Sequence, residues 1–118
     1  ELTRIKLKDY AETLVTANTG TSYAINLESG NVFDLTLTGN VTYTFTNPPA
    51  TGIAGAFTLI QNQDGTGSRT VTWPVSVEWA GGSAPTITST ASSTDVFTFI
   101  TTDGGTTWYG FTAGQEFS

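Results

Sequence analysis

Hydrophobic and polar positions alternate with a period of two along most of this chain, and turn-forming residues break the alternation at short intervals. Successive side chains of a β-strand point to opposite faces, so the pattern predicts a series of short strands, each with one face on a core. The first candidate, Thr3 to Leu7, sets Ile5 and Leu7 against Arg4, Lys6 and Lys8. Tyr10 to Thr16 follows and ends at Ala17-Asn18-Thr19-Gly20; Ser22 to Leu27 is next, closed by Ser29-Gly30-Asn31. Phe33, Leu35 and Leu37 then share a face, and Val41, Tyr43 and Phe45 resume it after Gly39-Asn40. Glycine and asparagine both tolerate positive φ, so Gly39-Asn40 is predicted to close a two-residue hairpin. The other face of the returning strand is Thr42, Thr44 and Thr46, and Asn47-Pro48-Pro49 stops it, because proline lacks the N–H that a ladder needs.

The second half reads the same way. Ala54 to Gln63 is a strand ending at Asp64-Gly65-Thr66-Gly67, and Thr70 to Trp73 runs into Pro74. Val75, Val77 and Trp79 alternate with Ser76 and Glu78 before the Gly81-Gly82-Ser83-Ala84-Pro85 loop and a short strand from Thr86 to Thr90. Asp95 to Thr102 places Phe97 and Phe99 on one face and Val96 and Ile100 on the other; Asp103-Gly104-Gly105 turns it into Thr107 to Phe111. No segment has helical periodicity, no internal repeat is visible, and no linker divides the chain. The expected fold is all-β: a single antiparallel β-sandwich, jelly-roll-like, of eight to ten short strands. Residues 1–9 are read as an N-terminal attachment segment or edge strand, and residues 10–118 as the sandwich.

Composition agrees with this. At 118 residues there is room for one core, and threonine, a β-branched strand former, fills about one position in five. With 12% aromatic and only 12% charged residues, the chain is too aromatic and too uncharged to be disordered, and its polar surface of Thr, Ser, Asn and Gly suits persistence outside a cell. The net charge is −6, which excludes nucleic acid as a partner, since phosphates repel such a surface. Three of the four bases, Arg4, Lys6 and Lys8, lie in the first eight residues; from Tyr10 onward Arg69 stands alone against eight carboxylates. No apolar run is long enough to insert into a membrane, and the start has no apolar signal core. An initiator Met is normally removed only ahead of a small residue, and Glu1 is not small, so the sequence is expected to be a fragment, a domain of a longer chain or a processed form.

Candidate chemistry is sparse. Without His or Cys there is no Ser-His-Asp or Cys-His nucleophile and no ordinary zinc set, so catalytic, metal and cofactor-binding residues are all read as none. A glycosidase-like carboxylate pair is the remaining enzymatic option, but Asp64 and Asp103 sit in glycine turns, where Asp serves turn geometry. Asn62-Gln63-Asp64-Gly65-Thr66 resembles the opening of a calcium loop without its later acidic ligand, and is read as a turn. Asn40-Val41-Thr42 matches a glycosylation sequon of little weight in so threonine-rich a chain. Trp73, Trp79, Trp108, Tyr109 and Phe111 are read mostly as core, with Trp79, beside the Gly-Gly loop, as the candidate for stacking on a sugar. Two sets are candidate assembly contacts: Arg4, Ile5, Lys6, Leu7 and Lys8 as an extended attachment segment, and Thr42, Thr44 and Thr46 as a flat face.

The runs GNVFDLTLTGNVTYTFTNPPATG, FTLIQNQDGTGSRTVTWP, VEWAGGSAPT and DVFTFITTDGGTTWYGFTAGQEF resemble a module recurring in bacteriophage virion proteins, at the ends of tail fibres and in other appendage or head-associated proteins. The resemblance covers Tyr10 to Phe117, and DGTGSRTVTWP and DGGTTWYGF are its most specific parts. It implies a virion-borne β-sandwich, homotrimeric, that contacts other virion proteins, and it brings no catalytic or ligand residues. Two functions follow: a non-enzymatic virion structural module (fibre or appendage head, or capsid decoration) serving particle assembly and host attachment, or a module that recognises a carbohydrate receptor on the host surface.

Overall fold

The computed structural model describes residues 1–118 and contains nine strands: β1 (Leu14–Asn18), β2 (Ser22–Asn26), β3 (Val32–Leu37), β4 (Val41–Thr46), β5 (Gly55–Gln63), β6 (Val71–Thr72), β7 (Val77–Trp79), β8 (Thr94–Thr101) and β9 (Trp108–Phe117). They form a six-stranded sheet in the order β1-β3-β5-β8-β9-β7 and a three-stranded sheet in the order β2-β4-β6. The core lies between them. Ile25, Val41 and Tyr43 from the smaller sheet meet Phe33, Leu35, Leu37, Phe57, Leu59, Phe97, Phe99 and Trp108 from the larger one, all buried. Phe45 reaches across the gap, its ring centroid 4.9 Å from Phe57, 5.1 Å from Phe99 and 5.3 Å from Trp108, in the edge-to-face geometry that aromatic quadrupoles favour. The all-β sandwich is therefore present, with the inward positions that the alternation predicts.

The antiparallel, jelly-roll-like arrangement is not. Five of the seven strand pairings are parallel: β1 with β3, β2 with β4, β3 with β5, β4 with β6 and β7 with β9. Only β5–β8 and β8–β9 are antiparallel. The reason lies in Gly39-Asn40, which does not close a hairpin. Neither residue takes the positive φ that a two-residue hairpin turn requires. The chain instead arches from β3 in one sheet to β4 in the other. From β1 to β6 strands thus pair with the next but one in sequence, and the intervening strand of the opposite sheet serves as the crossover that parallel pairing needs. β1–β2, β3–β4 and β5–β6 make three stacked turns of a short coil, a structural repetition that the sequence did not display.

The arches are stacked too. Gly39 packs so closely that a Cβ there would lie 3.1 Å from the Gly20 carbonyl oxygen of the turn before. The Gly20 N–H donates to Thr38 Oγ1 at 3.0 Å, and the Thr70 N–H donates to Asn40 Oδ1 at 3.0 Å. Two further expectations fail locally. Residues 1–13 contain no strand and are exposed throughout, so the strand expected at Thr3 to Leu7 does not form within the chain. Thr86 to Thr90 is also irregular, held in part by the Thr88 N–H donating to Asp95 Oδ2 at 2.7 Å. A single 3-10 turn, Ala80–Gly82, occupies the Gly-Gly loop.

Candidate functional site

The carboxylates singled out in the sequence have structural partners. Asp64 accepts hydrogen bonds from the Thr66 and Gly67 N–H groups at 3.1 and 3.0 Å and forms an ion pair with Arg69 at 2.9 Å. The Arg69 guanidinium, with the Gly67 N–H, holds its carboxyl below the ordinary value of 3.8. The loop read as a turn rather than a calcium site is thus an aspartate-capped loop with a guanidinium beside the carboxylate. Asp103 accepts the Thr107 N–H at 2.9 Å, which holds its carboxyl low as well. The buried Thr101 hydroxyl completes that turn, donating to the Thr107 carbonyl at 2.7 Å and accepting from the Gly105 N–H at 3.1 Å.

Polar side chains on the inner face of β5 are satisfied in the same way. Gln63 Nε2 donates to the Arg69 and Thr88 carbonyls, both at 3.0 Å, and its Oε1 accepts the Arg69 N–H at 3.0 Å. Gln61 Oε1 accepts from the Tyr43 hydroxyl at 3.0 Å, and burial pushes that hydroxyl's pKa far up, so it stays a donor. Gln63 fastens the loop after β5 to the end of the sandwich, and Gln61 ties β5 to β4 across the core.

The aromatic residues divide between core and surface. Trp108 is buried, and Trp73 packs against Tyr43, Phe97 and Phe99 with ring centroids 5.2 to 5.5 Å away. Trp79, the sugar-stacking candidate, is half-buried: its ring lies 5.2 Å from Trp73 and 5.5 Å from Phe99. Gly110, opposite it on β9, makes room, since a Cβ there would meet the Trp79 ring at 2.8 Å. The outward aromatics at this end are Tyr109 and Phe111, 48% and 50% exposed. Trp79 and Phe111 together wall a cavity of about 410 Å³ with Ala80, Ser83, Pro85 and Thr112.

Thr42, Thr44 and Thr46 are where the alternation puts them, on the outer face of the smaller sheet. Parallel register aligns them with Ser22, Ala24 and Asn26 of β2, and Thr42 also with Thr72 of β6. Arg4, Ile5, Lys6, Leu7 and Lys8 lie on the exposed segment before β1, touching neither the threonine face nor Trp79 in any hydrogen bond or ring contact that the structure shows.

A further surface was missed in the sequence: the outer face of the six-stranded sheet. Register places Leu14, Val32, Thr58, Thr98 and Phe111 in one row across five strands, and Ala56, Ile100 and Tyr109 in the row beside it. The next row holds Thr16, Asp34, Ile60 and Val96. A cavity of about 330 Å³ opens on this face, walled by Ala56, Thr58, Thr98, Ile100 and Phe111 with Glu12 beside it. The available signal was β8 itself, whose Val96 and Ile100 make it apolar on both sides.

A family model described as "Putative phage tail fibre C-terminal domain" matches residues 16–107, from β1 through the turn after β8. No curated protein and no solved structure matches the chain.

Proposed function

The chain belongs to the phage tail fibre C-terminal domain family, a structural module of the phage tail carried on the virion, and from that premise we propose that it is a non-catalytic fibre component assembling as a homotrimer with other virion proteins and serving attachment to the host. The observation that carries the reading is the extent of the match: residues 16–107 take in all three turns of the coil and β8, so it is the folded body that is shared. The tail supports a fibre position over capsid decoration. The absence of chemistry is supported by the use of Asp64, Asp95 and Asp103 as acceptors for backbone N–H groups, which makes them parts of the scaffold. Residues 1–9 serve as the attachment segment to the neighbouring virion protein or copy, since they extend from the body without a strand of their own.

Immunogold labelling of particles with an antibody against the domain tests this reading. Label on the tail fibres is the expected result; label confined to the head, or none on intact particles, overturns it.

A second reading, recognition of a host-surface glycan, is favoured by the cavity between Trp79 and Phe111, where an aromatic edge and the Ser83 and Thr112 hydroxyls line one hollow. Binding on a glycan array that persists in Thr44→Asp and is lost in Phe111→Ala would support it; no binding to any glycan would end it.

A further inference from the structure

Seven of the ten large hydrophobic side chains that the fold leaves exposed lie in two places. Leu2, Ile5, Leu7 and Tyr10 are on the segment before β1, and Leu14, Tyr109 and Phe111 are on the outer face of the six-stranded sheet. We propose that a second copy of this chain covers that face, laying its residues 1–9 across it with Ile5 and Leu7 against the cavity walled by Ala56, Ile100 and Phe111. The inference rests on the fibre-component reading and names the surface through which copies join.

Three observations converge on this occupant. First, the face presents one apolar row, Ala56, Ile100 and Tyr109, beside a row in which Thr58 and Thr98 lie between Val32 and Phe111, and soluble monomers seldom leave a large apolar patch to water. Second, the charges are complementary. Residues 1–9 carry Arg4, Lys6 and Lys8 against Glu1 and Asp9, whereas the rest of the chain has one base and eight carboxylates. Three of those carboxylates border the face: Glu12 at the cavity, Glu78 paired in register with Tyr109, and Asp34 in the row of Ile60. An extended segment alternating basic and apolar residues fits an apolar hollow with an acidic rim, the charges setting orientation and the apolar groups the hold. Third, none of residues 1–11 lines the cavity, so the chain's own segment does not fill it. In a closed ring each copy gives one segment and receives one, which removes both apolar surfaces from water by a single repeated contact. The threonine face has no such counterpart in an apolar segment, and burying its hydroxyls gains little, because each then needs a hydrogen-bond partner in place of solvent.

The test uses the whole chain, half of it labelled with a heavy nitrogen isotope. The two halves are mixed in denaturant, refolded together and treated with a carbodiimide that joins amines to carboxylates in contact. Mass spectrometry is expected to find Lys6 or Lys8 joined to Glu12 or Glu78 in mixed-isotope pairs. In sedimentation equilibrium, Phe111→Asp and Leu7→Asp should each weaken self-association at least tenfold, while Thr44→Asp should not. Links of one isotope only would mean that the segment folds back on its own copy, and would overturn the proposal. A monomeric wild type, or undiminished association in Leu7→Asp, would also overturn it. Should Phe111→Asp fail to fold, Leu7→Asp decides alone, since residue 7 lies outside the packed body. Fibre labelling on the particle together with a monomer in solution would sink this inference and the homotrimer with it, and would leave the fibre-component reading standing.

Discussion

The outer face of β2, β4 and β6 is laid with Ser22, Thr42, Thr44, Thr46 and Thr72, whereas the outer face of the larger sheet carries Val32, Ile60, Val96, Ile100, Tyr109 and Phe111. Both faces belong to strands whose inward residues fill the same core, so the fold constrains them equally. What differs is the use of the positions that folding leaves free. Threonines on the smaller sheet combine a strand-favouring β-branched side chain with a polar hydroxyl. The apolar positions on the larger sheet stay partly open to water in the isolated chain, and their removal from water is worth about 25 cal/mol for each Å² covered. Reading the outward positions separately from the inward ones is thus what divides a hydroxyl-rich surface from a more apolar one here.

Four measurements break or sharpen that contrast. The largest effect should come from the shared floor. Phe57 stacks on Phe99 at 5.0 Å and meets Phe33 and Trp108 edge-on, so Phe57→Ala should cost about 3–5 kcal/mol in urea melts and dissolve both faces together. If only the apolar face were lost, the two sheets would not be one cooperative unit.

Next, Gln63→Leu leaves the Arg69 N–H and the Thr88 carbonyl without their buried partner. A loss of about 1–3 kcal/mol is expected, with the loop after β5 becoming accessible to protease while the threonine face keeps its hydrogen-exchange protection. Equal deprotection of both would show that the loop is no separate unit.

Acid should act on both faces through the turns that connect the strands. The Asp64 and Asp103 carboxyls are held below 3.8, so the unfolded chain takes up protons first as pH falls. Their contribution is present above the unfolded value and is lost as pH drops through the lower folded one. The melting temperature should therefore hold steady down to about pH 4 and fall below it, and Asp103→Asn should flatten the fall. A melting temperature that rises on acidification would refute the assignment.

The smallest effect separates the faces most directly. Thr44→Val and Ile100→Thr exchange the two surface chemistries at outward positions, and each should change stability by no more than about 0.5 kcal/mol. Light scattering should then show weaker self-association for Ile100→Thr and none of that loss for Thr44→Val.

Strand positions were legible because a period of two reports which side of a strand faces the core. Phe33, Leu35 and Leu37, Val41 and Tyr43, and Phe97 and Phe99 are buried as the alternation requires. Strand direction was not legible, because the same alternation suits a strand that folds back and one that arches over. At Gly39-Asn40 composition suggested the former, and stacking on the Gly20 turn decided the latter. Trp79 looked exposed beside Gly81-Gly82, but its setting depends on Gly110, distant in sequence and brought opposite only by the parallel pairing of β7 with β9. The threonine face could be read directly. The apolar one needed cross-strand register to join Leu14, Val32 and Phe111 into one row.

The three stacked arches leave this molecule unequal room for evolutionary change. Gly39 sits tightly against the turn before it, so a larger residue in the middle arch would require that turn to give by a few tenths of an ångström. The loop after β5 is fastened at its base by Gln63, Asp64 and Arg69, while beyond a Cβ at Gly65 there is nothing within 4 Å. Added residues there would project into solvent and lengthen the closed loop at little entropic cost, leaving every strand in register. Related modules can therefore diversify at this tip, acquiring new surface by insertion while the coil beneath stays the same.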